Sequence, residues 1–114
     1  MIDASEAIVV LITTANTEDA SRLAEMLVSQ CLAACVQILP EIQSVYRWQG
    51  KIERQPEVLV IVKTTKSSFE KLEREVRAIH SYETPEIVAL PLTAGSAPYL
   101  AWLGSNVKPD PGGQ

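Results

Sequence analysis

The stretch from Ala33 to Thr65 constrains this chain more than any other. It reads as two long β-strands joined by a tight turn at Gln49-Gly50. From Val36 the even positions run Val36, Ile38, Pro40, Ile42, Ser44, Tyr46 and Trp48, with Gln37, Glu41, Gln43 and Arg47 between them. That alternation predicts a strand with one buried face. After the turn, Lys51 to Arg54 alternates again, and Val58 to Val62 is apolar throughout, as in a central strand covered on both faces. Each arm of roughly 14 residues would extend about 45 Å. A compact domain of this size is only about 35 Å across. The far half of the hairpin must therefore project beyond its own core. It carries Tyr46, Trp48 and Ile52, which are costly to leave in water, so another chain is expected to cover them.

At 114 residues the chain makes one domain, expected over residues 1–106 with a flexible tail at 107–114. A net charge of −4 argues against non-specific nucleic-acid binding, which depends on neutralising phosphates. The N-terminal residues lack the basic and apolar regions of a signal peptide, and no run is long enough to span a membrane. Two cysteines without a secretion signal fit reduced thiols in a cytoplasm.

Taken in order, Ala7 to Thr14 reads as a short apolar strand. Asn16 to Asp19 starts a helix with a cap and early acids, followed by a stripe of Ala20, Leu23, Ala24, Leu27, Val28 and Cys31. Pro40 and Pro56 mark bulges or edge positions in the hairpin arms. Ser67 and Glu70 have capping-box spacing at the start of a second helix. Its stripe is Phe69, Leu72, Val76 and Ile79, and Glu70/Arg74 and Glu73/Arg77 sit on the solvated face. Glu86 to Leu92 reads as a fourth strand, and Gly95 to Pro98 opens a short last helix. The order β-α-β-β-α-β predicts an α+β, ferredoxin-like sandwich with a long β2–β3 hairpin and an added C-terminal helix.

Few residues carry chemistry. Cys31 and Cys35 read either as small buried side chains or, for Cys35, as a thiolate for a soft metal. His80, the only histidine, reads either as a cation at a helix C-terminus or as a ligand grouped with Tyr82, Glu83 and Glu86. Lys63, Thr65 and Lys66 run from a strand end into a helix start, where an anion could bind, although capping and solubility explain them better. No histidine is left for a catalytic triad and no nucleophile elbow is present, so an enzyme is not expected. The aliphatic central strands lack the aromatics of an RNA-binding sheet.

Several segments together resemble the CutA family of divalent-cation tolerance proteins. They are Leu32-Ala33-Ala34-Cys35-Val36, Tyr46 to Ile52, Lys63-Thr64-Thr65-Lys66 and His80 to Pro91, within a match from about Ile8 to Leu103. The resemblance implies a ferredoxin-like subunit in a tight cytoplasmic homotrimer whose hairpins engage neighbouring subunits at Tyr46, Trp48 and Ile52. It also implies a response to metal ions, with copper or another divalent cation bound by Cys35 and His80, and Glu83 and Glu86 as further ligands in the same segment. Ser81 stands where the family usually has proline, and Cys31 lies outside the pattern. The similar architecture of the PII signalling proteins raises an alternative: a regulatory module holding a small anionic ligand in inter-subunit clefts, through Lys63, Thr65, Lys66 and Arg47. A scaffold for an unidentified protein partner is a third reading.

Overall fold

A computed structural model describes residues 4–108. After a short 3-10 turn at Ala4–Glu6, the elements are β1 (Ala7–Thr14), α1 (Thr17–Ser29), β2 (Cys35–Trp48) and β3 (Lys51–Thr65). A second 3-10 turn (Lys66–Ser68) leads into α2 (Phe69–Ile79), β4 (Ile87–Pro91) and α3 (Ala97–Ser105). The four strands form one antiparallel sheet in the order β2-β3-β1-β4. This is the expected ferredoxin-like arrangement with its added third helix.

The main core lies between one sheet face and the helices α1 and α2. Val10 and Ile12 of β1 and Val58, Val60 and Val62 of β3 meet Ala20, Leu23 and Leu27 of α1 and Leu72 and Val76 of α2. Burying each of these larger side chains contributes about 1.5–3 kcal/mol. The sheet's other face is covered at one end only, where Leu100 and Leu103 of α3 pack with Ala7 and Val107. Val107, expected at the start of the tail, packs in this small core, and the Lys108 amide donates to the Cys31 carbonyl. The rest of the expected tail lies outside the described residues.

The helix ends follow local chemistry, with two departures from expectation. Asn16 caps α1 as its side chain accepts from the Asp19 amide at 2.8 Å. The α1 stripe ends at Leu27: Val28 is exposed, and Cys31 lies beyond the helix with a positive φ of 58°. At α2 the expected capping box does not form, because the 3-10 turn draws Ser67 and Ser68 into hydroxyl contacts with Thr65 instead. Of the two expected ion pairs on that helix, Glu73–Arg77 closes at 3.7 Å, and Glu70–Arg74 is not formed among the described residues.

The hairpin turns at Gln49 (φ 52°) and Gly50 (φ 80°). Positive φ at both central residues is the I′ geometry that matches strand twist. Opposite Val58, β2 carries an extra residue, since the register shifts between Leu39 and Ile42. The bulge holds Pro40, as proline's missing donor demands. It also reverses the alternation. Val36 and Ile38 face α1 and α2, but Ile42, Tyr46 and Trp48 face the opposite side. The single buried face read along β2 is thus two half-faces of opposite sense. β1 pairs with β3 only as far as Val58, so Pro56 sits where β3 has a free edge. The projecting hairpin lengthens the molecule to 46 × 28 × 24 Å.

Candidate functional site

The face that the bulge gives to Tyr46 and Trp48 also carries Glu53, Gln55 and Glu57 of β3. The register sets Tyr46 opposite Glu53 and Ser44 opposite Gln55. The segment joining α2 to β4 approaches this face and closes an open cleft of about 780 Å³. Its walls include Tyr46, Trp48, Glu53, Glu57, Glu83 and Glu86, with Tyr82 and Thr13 at the base.

Two contacts hold that segment in place. The Tyr82 hydroxyl donates to Glu57 Oε2 at 2.7 Å. Burial and then the neighbouring Glu57 carboxylate push the Tyr82 phenol above its ordinary pKa, so it keeps its proton and remains a donor. Behind it, His80 Nε2 lies 2.8 Å from the Thr13 carbonyl oxygen, while Nδ1 accepts from the Tyr82 amide at 3.0 Å. These partners assign the neutral Nε2–H tautomer, because a carbonyl only accepts and an amide only donates. Both ring nitrogens are engaged, and coordination at His80 would require one of these bonds to break.

Cys35 lies elsewhere. It opens β2 opposite Lys63, which pairs in turn with Val9 of β1. His80 bonds Thr13, four residues further along the same strand, so the two are separated by about 13 Å along the strand alone. The thiol is free and half-buried beside α3. Tyr99 of that helix has its phenol pushed upward, first by burial and then by Cys35. Glu83 and Glu86 line the cleft, but His80 and Cys35 do not. Among the described residues, no three His, Cys, Asp or Glu side chains converge as a metal ion requires. The donor set named from the sequence therefore does not fit one metal within one chain.

The anion candidates are dispersed as well. Lys63 donates to Gln37, Thr64 to the Leu32 carbonyl at 2.6 Å, and the Thr65 hydroxyl contacts Ser67 and Ser68. Arg47 is opposite Ile52 near the hairpin tip, about 35 Å along β3 from Lys63. Within one chain Arg47 therefore does not meet Lys63, Thr65 and Lys66, which adjoin one another in sequence. Sequence reasoning misses Glu53 and Glu57, although a signal is present: the two acids lie four apart after the turn, on one strand face, with Glu53 opposite Tyr46.

A profile of the CutA1 divalent ion tolerance protein family matches residues 8–106. The chain is 50% identical to the divalent-cation tolerance protein CutA of Thermus thermophilus, over 86% of this chain and 95% of that protein. It is 46% identical to the chloroplastic protein CutA of Arabidopsis thaliana over 89% of this chain, but spans only 56% of that longer relative. The crystal structure of CutA1 from Oryza sativa superposes with a TM-score of 0.89 at 43% identity, covering 92% of this chain and 96% of that one. The chain belongs to the CutA1 divalent ion tolerance protein family.

Proposed function

We propose that the protein is a cytoplasmic homotrimer that binds divalent cations, copper among them, and serves metal tolerance without catalysing a reaction. Family membership supports the tolerance role. The observation that carries the assembly is the uncovered apolar sheet face. Leu39, Val88 and Leu90 are 48%, 47% and 49% exposed, and the register places Leu59, Ile61, Leu11 and Val9 between them. A contiguous apolar strip of this kind marks an interaction surface. The hairpin adds Trp48 and Ile52, 55% and 69% exposed. Further copies of the same chain are the occupant we infer, with Tyr46, Trp48 and Ile52 reaching a neighbour. Three is the number implied by the resemblance.

Assembly also bears on the metal. One chain separates its thiol from its carboxylates, so a complete cation site draws on more than one copy. In this reading Cys35 supplies a soft donor suited to Cu(I), and Glu83 and Glu86 supply oxygen donors. Titrating the assembled apo-protein with Cu(II) and with Cu(I), beside Cys35→Ser, tests the assignment. We expect at least a tenfold loss of affinity in the variant, and equal affinity would remove Cys35 from the account.

A further inference from the structure

We propose that His80 is an acid-sensitive latch on the segment joining α2 to β4. The bonds involved all lie within one chain, and His80 is outside the donors assigned to the cation. It stands half-buried at the C-terminal end of α2, where its own amide donates to the Val76 carbonyl at 2.9 Å. Its ring is held between two backbone groups of opposite kind. The Thr13 carbonyl oxygen lies 2.8 Å from Nε2, and the Tyr82 amide donates to Nδ1 at 3.0 Å. Only a neutral ring satisfies both, since one nitrogen must donate and the other must accept.

A second proton on that ring acts differently at its two ends. At Nε2 the charged ring still donates, and its bond to the Thr13 carbonyl becomes charge-assisted and stronger. At Nδ1 a new N–H faces the Tyr82 N–H, so donor meets donor and the amide loses its acceptor. The ring therefore stays on the end of β1, and the segment is the side that gives way. The Tyr82 ring lies 4.9 Å from the imidazole, so displacing the amide also displaces the phenol whose hydroxyl holds Glu57. Protonation thus unfastens the segment from the base of the hairpin and leaves α2 in place.

The charged groups around the ring come from three elements. Asp19 and Arg22 of α1 share a small pocket with His80 and pair with each other at 3.2 Å, while Asp19 also accepts from Ser81. Arg77 in the last turn of α2 is paired with Glu73. Glu57 of β3 reaches the ring only through Tyr82. From β1 the neighbours are Thr13 and Thr14, which carry no charge. Among the described residues none of these side chains bonds either ring nitrogen, so the two backbone groups alone depend on its proton state.

The test is amide hydrogen exchange of the full chain at about pH 7.5 and about pH 5, corrected for the intrinsic pH dependence of exchange. In the wild type, protection of the Tyr82 amide should fall by about fivefold or more on acidification, while that of the His80 amide, bonded to Val76, stays within about twofold. His80→Asn supplies a side-chain carbonyl that accepts from the amide two residues on and does not titrate, so its Tyr82 protection should change by less than about twofold. Asp19→Asn/Glu57→Gln removes the neighbouring carboxylates, keeps the histidine and should respond as the wild type does. Unchanged Tyr82 protection in the wild type would overturn the proposal. So would a response that survives in His80→Asn or disappears in Asp19→Asn/Glu57→Gln, either of which would assign the switch to a carboxylate. Loss of protection at both amides together would also overturn it, as general acid unfolding and not a latch.

Discussion

The Tyr82 hydroxyl, donating at 2.7 Å to Glu57, ties the segment before β4 to the base of the long hairpin. The contact spans residues that are remote in sequence, and it decides where Glu83 and Glu86 stand. His80 reinforces it by accepting from the Tyr82 amide while its other nitrogen bonds the end of β1. The cleft is thus built from a short chain of hydrogen bonds rather than from core packing.

Tyr82→Phe should lower stability at neutral pH by about 1 kcal/mol, the lower range for a hydrogen bond to a charged group that remains partly solvated. The pH dependence gives the sharper check. The phenol's pKa is raised in the fold, so the proton is held more tightly there than in the unfolded chain. Its stabilisation is full below the unfolded value of about 10 and is lost as pH rises above that. Urea unfolding at pH 8 and above pH 10 should show the gap between wild type and variant shrinking with pH. A gap that widened would contradict the assignment.

His80→Ala should cost about 1–3 kcal/mol, since it removes two hydrogen bonds and leaves the Tyr82 amide without its acceptor. With both nitrogens already engaged, the same variant should change Cu(I) affinity by less than about threefold. A tenfold loss would show that metal competes successfully for the imidazole.

At the hairpin turn, Gln49→Asn should raise stability by about 0.5–1 kcal/mol. Gln49 pays the steric cost of a φ of 52°, a conformation that asparagine adopts more readily. Gly50→Ala should lower stability by about 1 kcal/mol. Nothing lies within 4 Å of the added methyl, so backbone strain at φ 80° is the whole cost. Urea midpoints would separate both variants from wild type.

Much of this fold is legible in the sequence because its signals are local. The apolar run of β1, the Asn16 cap and the Gln49-Gly50 turn each depend on a few adjacent residues, and each forms where it is read. The misreadings come from longer-range effects. One extra residue at the Pro40 bulge reverses every side chain beyond it, so Tyr46 and Trp48 leave the face suggested by Val36 and Ile38. The Ser67 hydroxyl, matched by spacing to a capping box, turns instead to Thr65. The site was harder still. Cys35 and His80 are separated by strand geometry that no motif reveals, and Glu57 becomes a site residue only through Tyr82. What the length of the hairpin does show correctly is that Trp48 and Ile52 have no cover within their own chain.

Sedimentation equilibrium at low micromolar concentration, on wild type and Leu90→Asp, tests the proposed assembly most directly. Leu90 is half-exposed on the open sheet face and contributes to neither core, so the aspartate leaves the monomer fold intact while placing a charge in the interface. The wild type should sediment at three times its chain mass of 12.5 kDa, and Leu90→Asp should fall to a folded species of one chain mass. A wild type that sediments as a monomer, or a variant that remains a trimer, would contradict the account.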